Sequence, residues 1–224
     1  MKEKYRKPQI STVGLVAHYK LWAGLTTADI VFDYSLNGNE GTVSGAVPAY
    51  PGFAFSTDTI ACGSASVIDN LFAGGGTVST WLLSIGKGGG DAGTVITKEK
   101  WLLQLGGAVT SMIFSQAFDD DDGIWTFAVT GNIWENVIVV YDNDVGANDP
   151  TVYVDGVAVS ATPATQDPGS DDATSDAADS LLFGDVDATG SDWNGKIGET
   201  MLFDRVLSAA DAKSIYELTK WRYQ

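Results

Sequence analysis

Apolar residues in this chain come in short runs separated by Gly, Asn, Asp and Ser. Most runs are built from Val, Ile, Thr, Phe and Trp, the residues that suit a pleated, half-buried surface. Residues 14–22 combine alternation with such residues and predict the first strand. A series follows: residues 50–55, where Pro51 points to an edge, residues 77–85, and a hairpin of 101–105 with 111–115 about Gly106-Gly107. Residues 124–129 and 134–142 predict two more strands. Residues 151–159 predict a hairpin on Asp155-Gly156, a dipeptide that readily takes the left-handed backbone such a turn needs. Residues 180–185 resume a strand. The stretch from Trp193 to Phe203 closes the series, with Ile197, Met201 and Phe203 bulky and Gly195 and Gly198 tight. After Asp204-Arg205 the period changes. Ser208 with Asp211 three residues later is close to a capping box, and Leu207, Ile215 and Leu218 fall on one helical face. One helix after a long run of strands predicts an all-β fold, a two-sheet antiparallel sandwich closed by a short C-terminal helix.

The closing stretch carries a resemblance. Gly195-x-Ile197-x-Glu199, followed by Phe203-Asp204-Arg205-Val206-Leu207-Ser208 and Asp211, resembles the end of laminin-G-like, concanavalin A-like jelly-roll domains. Gly198 stands where that family usually has an aspartate. Further stretches are similar to the family, and in its order. They are the opening strand, Asp33-Tyr34-Ser35-Leu36-Asn37-Gly38-Asn39-Glu40-Gly41-Thr42, Thr77 to Trp81, Trp134 to Asp142, and Thr151 to Gly156. Glu135-Asn136 replace the family's paired histidines. The resemblance implies a jelly-roll sandwich over residues 14–224, with Trp81 and Trp134 pointing inward. It implies less about function, because this sandwich hosts lectins, glucanases, receptor modules and virion proteins alike.

Composition sets the bounds. A chain of 224 residues, 44% hydrophobic and 11% aromatic, suits one domain with an ample core. Residues 1–13 read as an extended N-terminal arm ahead of it. The formal net charge of −16 argues against nucleic acid, which requires a basic footprint, and against an anionic membrane surface. It leaves solubility, or the binding of cations. Cys62 is the single cysteine, so no intrachain disulfide forms, and its setting suits a small buried hydrophobe. The first residues are basic with no apolar run behind them, so no signal peptide is expected. No stretch has the length of a membrane span.

Catalysis finds little support. Laminarinase-type glucanases of this fold need Glu-x-Asp-x-(x)-Glu on one strand, where alternate residues share a face. The glutamates are Glu3, Glu40, Glu99, Glu135, Glu199 and Glu217, and none has Asp two residues on. His18 is the only histidine, which excludes a two-histidine metal site and leaves a serine triad, or a thiol enzyme using Cys62, without support. The glycine-rich turn 86–91 lacks the Gly-Lys-Ser/Thr ending of a phosphate loop. A non-catalytic protein is expected. A carboxylate pair about 5–9 Å apart in a cleft would overturn that.

Jelly-roll faces hold sugars by stacking them on exposed rings, for which Trp125, Tyr141 and Trp193 are the candidate platforms, with core packing the alternative. Asp33, Asn37 and Asn39 offer oxygen ligands of the kind calcium takes, with a tight structural turn the alternative at the same residues. The four aspartates 119–122 repel one another and call for solvent or a cation. Lys2, Lys4, Arg6 and Lys7 concentrate positive charge on the arm for contact with an acidic copy or partner, with a frayed terminus the alternative. The expected function is a structural or assembly module on a virion surface, decoration- or fibre-like, made in a host cytoplasm and capable of glycan adhesion. The alternative is a free carbohydrate-binding lectin, calcium-dependent or not, exported by a non-classical route. Expected partners are other virion or assembly proteins, further copies of the chain, and cell-surface glycans. Nucleic acid and membrane insertion are not expected. Specificity is expected in the loops 117–123, 142–150 and 160–179.

Overall fold

Strands without a solvent face need cover on both sides, and three stretches here are buried almost throughout: Gly76–Ser84, Glu135–Tyr141 and Gly195–Phe203. The computed structural model, which describes residues 9–24, 29–164, 172–185 and 190–224, meets that demand with a second sheet on one side and a helix on the other. In chain order the strands are β1 (Leu15–Tyr19), β2 (Ile30–Val31), β3 (Gly41–Ser44), β4 (Val47–Ala49), β5 (Gly52–Phe55) and β6 (Thr59–Ala61). Then come β7 (Gly76–Ser84), β8 (Thr94–Thr97), β9 (Trp101–Leu105), β10 (Ser111–Gln116), β11 (Gly123–Ala128) and β12 (Glu135–Tyr141). The last are β13 (Thr151–Val154), β14 (Val157–Val159), β15 (Thr162–Pro163), β16 (Leu182–Phe183) and β17 (Gly195–Phe203), followed by α1 (Ala209–Thr219). Among the described residues one sheet runs β14-β13-β12-β7-β17-β5-β4, with β1 also on β17. The other runs β15-β11-β10-β9-β8-β16-β6-β3-β2. All their ladders are antiparallel, giving the concanavalin A-like jelly-roll sandwich.

Alternation sorts the apolar run of β12. Val137, Val139 and Tyr141 face the second sheet and join the main core, while Ile138 and Val140 face outward. The outward set, with Tyr153, Met201 and Phe203, is covered by Leu207, Ala212 and Ile215 of the helical segment and by Ile10 and Leu15. Burying a side chain such as Ile215 contributes about 1.5–3 kcal/mol, so packing rather than propensity holds this short helix. Ser208 and Asp211 form the expected capping box. The buried face carries Thr219 in place of the half-buried Leu218, because Thr219 Oγ1 accepts the indole N–H of Trp81 at 2.8 Å.

Other expectations shift for local reasons. The first strand ends at Tyr19, since Leu21–Ala23 coil into a 3₁₀ turn. Pro51 sits in the turn between β4 and β5, so β4 forms the edge and β5 lies inside the sheet. Trp81 is buried, but on the helix side: it stacks on Tyr223 with centroids 4.2 Å apart. Trp134 is half-buried against the same Tyr223. Asp155 and Gly156 both take positive φ, 51° and 74°, as the hairpin turn requires.

Candidate functional site

β17 changes partner along its length, pairing with β5 through Ile197 and with β1 from Thr200 onward. Its register with β7 also slips between Ile197 and Thr200, which brings Glu199 to an irregular step. Gly198 is glycine there for a steric reason. A Cβ would lie 2.6 Å from the Tyr223 hydroxyl and 2.9 Å from Trp81 Cβ. The tail after α1 can therefore fold back, and the Glu199 amide donates to Tyr223 Oη at 2.7 Å. Burial pushes the Tyr223 phenol well up, against the lowering effect of that bond, and Tyr50 stands near enough to add to the rise.

The Glu199 side chain is 2% exposed and has two basic partners. Oε1 lies 2.8 Å from His18 Nε2, and Oε2 accepts from Arg222 at 2.7 Å. The Arg222 guanidinium lies 4.4 Å from the ring centre of Trp22 and 4.6 Å from that of Trp221. On the other flank the Lys20 ammonium stands 4.4 Å over Tyr34, whose ring makes edge contacts with His18 and Phe32. A connected band results, Phe32–Tyr34–His18–Glu199–Arg222–Trp221. Its rings face solvent: Trp221 is 66% exposed, Phe32 49% and Tyr34 40%, with Tyr50 alongside at 68%. The buried carboxylate fixes Arg222 and His18. Open ring faces beside Lys20 and Arg222 can hold a flat apolar patch and an anionic or hydroxylated edge together.

The sequence-predicted platforms lie elsewhere. Trp125, Tyr141 and Trp193 are 1%, 2% and 0% exposed and belong to the core between the sheets. That corrects the stacking role expected of them. Alternation along β11 and β12 turns Trp125 and Tyr141 inward, where Trp125 stacks on Phe114 and donates to Asp149 at 2.7 Å.

Asp33, Asn37 and Asn39 do share one loop, and the loop is fastened by them. The Asp33 carboxylate accepts from the amides of His18, Ser35 and Asn39, from the Ser35 hydroxyl and from Asn39 Nδ2. Asn37 and Asn39 donate to the Val16 carbonyl. Among the described residues no group of three His, Cys, Asp or Glu is placed to hold a metal ion. Lys2, Lys4, Arg6 and Lys7 lie outside the described residues. Burial first, and the neighbouring exposed Glu99 second, push the Asp179 carboxyl above its ordinary value.

Sequence reasoning passed over Trp22, Phe32, Tyr34, Tyr50, Trp221 and Arg222. One signal was present: buried Val31 and Asp33 alternate with Phe32 and Tyr34, so period two turns the two rings out.

No curated protein sequence matches the chain. Among solved structures it is similar to the binding domain of botulinum neurotoxin serotype G, with a TM-score of 0.67 and 14% identity over 92% of this chain and 51% of that one. It is similar to the binding domain of botulinum neurotoxin DC in complex with SialylT, at TM-score 0.65 and 13% identity over 92% and 52%. The binding domain of Paraclostridial Mosquitocidal Protein 1 gives TM-score 0.63 and 13% identity over 91% and 52%. At such identities the likeness is one of fold, and the chain spans about half the length of these structures. Over residues 56–213, more than half of the sequence, it matches the Laminin_G_3 family model. The chain belongs to the concanavalin A-like lectin/glucanases superfamily.

Proposed function

We propose that this domain is a non-catalytic carbohydrate-binding module that grips glycans through the aromatic band around Glu199. One observation carries the reading: aromatic rings expected to serve as platforms are buried in the core, while Tyr34 stands open beside Lys20, with Phe32 against it, and Trp221 stands open beside Arg222. Cations beside ring faces favour sugars with an acidic group. Neurotoxins of similar fold support that class, since one is solved with SialylT and another is described as depending on two ganglioside molecules for cell entry. Calcium has no part in this reading, because the loop 33–39 is closed by its own hydrogen bonds. A glycan array with and without chelator, run on the wild type and on Trp221→Ala, tests it. Binding that survives chelator and falls about 30-fold in the variant supports the site, as loss of an aromatic anchor of ~2 kcal/mol would give. Silence across acidic and neutral glycans overturns it.

A second reading places the module on a virion surface. It is favoured by Lys2, Lys4, Arg6 and Lys7 preceding an acidic body. Deleting residues 1–13 separates the two, since loss of assembly with intact glycan binding assigns the arm to assembly.

A further inference from the structure

At the end of the sandwich where β7 begins and β12 ends, a cleft of about 210 Å³ opens between the sheets. Asn70, Gln116, Asn143 and Thr174 give it polar walls, and Ala73 and Ala173 apolar ones. None of these belongs to the aromatic band. Gln116 is 2% exposed. Its Nε2 donates to the Ala117 carbonyl at 3.1 Å, which fixes which way the amide lies, and its Oε1 is buried with no partner among the described residues. A buried acceptor without a donor is costly and calls for an occupant that donates. One water would meet that need, but a water fills about 30 Å³ and the cleft has room for about seven.

The charges on the floor already cancel. The lining residue Asp176 accepts from Lys98 Nζ and the Asn70 amide on Oδ1, and from the Trp101 indole on Oδ2. The three protons of Lys98 Nζ go to Asp69 Oδ1, Asp176 Oδ1 and the Asp176 carbonyl. These groups leave no charge for a ligand to pair with. The rim repels anions: Asp142 and Asp144 flank Asn143, and the bridge of Ala173 to Phe118 sets the aspartates 119–122 beside the wall. An ammonium donates but accepts nothing, whereas the Asn143 amide and the Thr174 hydroxyl offer protons of their own. A hydroxyl does both.

We infer that the cleft is a second ligand site, for one neutral sugar ring or a polyol of that size, a class apart from the acidic sugars favoured at the aromatic band. One hydroxyl donates to Gln116 Oε1 and others exchange hydrogen bonds with Asn143 and Thr174, while the C–H edge lies against Ala73 and Ala173. Pockets for drug-sized ligands run to about 300–1,000 Å³, so the cleft suits a single ring rather than an oligosaccharide.

Titration of the nitrogen-15-labelled full chain with methyl glucoside, methyl galactoside, methyl mannoside and N-acetylglucosamine tests this. N-acetylneuraminic acid and methylammonium serve as the anionic and cationic probes. The expected result is saturable shifts at the Gln116 side-chain amide and at the backbone amides of Ala73, Asn143 and Thr174 with at least one neutral sugar, while the Trp22 and Trp221 indoles stay still. Gln116→Leu weakens that binding about five-fold, as loss of one neutral hydrogen bond would give. Thr174→Val, at a half-buried position, weakens it too, and carries the test if Gln116→Leu disturbs the fold. Cleft amides silent toward every neutral sugar, which leaves water as the occupant, overturn the inference. So do larger cleft shifts with N-acetylneuraminic acid or methylammonium, or an affinity unchanged in both variants.

Discussion

Lys98→Met is the sharpest perturbation of the buried ion pairs at Asp69 and Asp176. Lys98 is fully buried, with Nζ 2.8 Å from Asp69 Oδ1, 2.8 Å from Asp176 Oδ1, and in contact with the Asp176 carbonyl. Methionine fills similar volume but leaves the Asp176 carboxylate, 3% exposed, without its cation. Breaking a buried pair from one side costs ~3–5 kcal/mol. Asp176 keeps the Trp101 indole N–H at 3.0 Å and the Asn70 amide at 2.6 Å, and Asp69 is exposed enough to rehydrate. Both facts favour the lower end, about 3 kcal/mol. For a chain of this length that is a fall in Tm of roughly 6–12 °C, readable by calorimetry or urea titration. Adding Asp176→Asn to Lys98→Met removes the stranded charge and recovers about half of the loss. A loss below about 1 kcal/mol, or a double variant no better than the single, refutes the reasoning.

Gly198→Ala is expected to cost about 1–3 kcal/mol by overpacking against Tyr223 and Trp81, seen in urea titration and in loosened tail amides by hydrogen exchange. Cys62 has its thiol pushed up to about 12, mainly by burial and against the lowering effect of Tyr19, so iodoacetamide at neutral pH should label it only as the protein unfolds. The Asp211 carboxyl is held below its ordinary value, first by the Ser208 amide. A depressed carboxyl contributes stability above its unfolded pKa near 4 that fades as pH falls through the folded value. Asp211→Asn should therefore cost about 0.5–1 kcal/mol at pH 7 and nothing near pH 2, measured as Tm against pH.

Architecture was legible because it rests on local rules. Alternation, the Asp155-Gly156 turn and the Ser208–Asp211 cap each act over a few residues, and each appears where the sequence places it. The open rings were not legible as such, because a tryptophan in a strand reads alike on either face until the second layer is known. Trp125 and Trp193 went inside, and the open rings came from a bridge segment and a tail. Glu199, His18 and Arg222 are distant in sequence: His18 meets Glu199 through the pairing of β1 with β17, and Arg222 meets it because Gly198 leaves room for the tail to return over β17. The aspartates 119–122 read as a charge run alone, and their place beside a cleft follows from the pairing of Phe118 with Ala173.

The most direct test of glycan binding at the aromatic band is a titration of nitrogen-15-labelled protein with the strongest glycan from the array, following the seven indole N–H signals. The account predicts saturable shifts at Trp22 and Trp221, with Trp125 and Trp193 unmoved and the Trp221 response lost in Trp221→Ala. Shifts confined to the buried indoles while Trp22 and Trp221 stay still would contradict it.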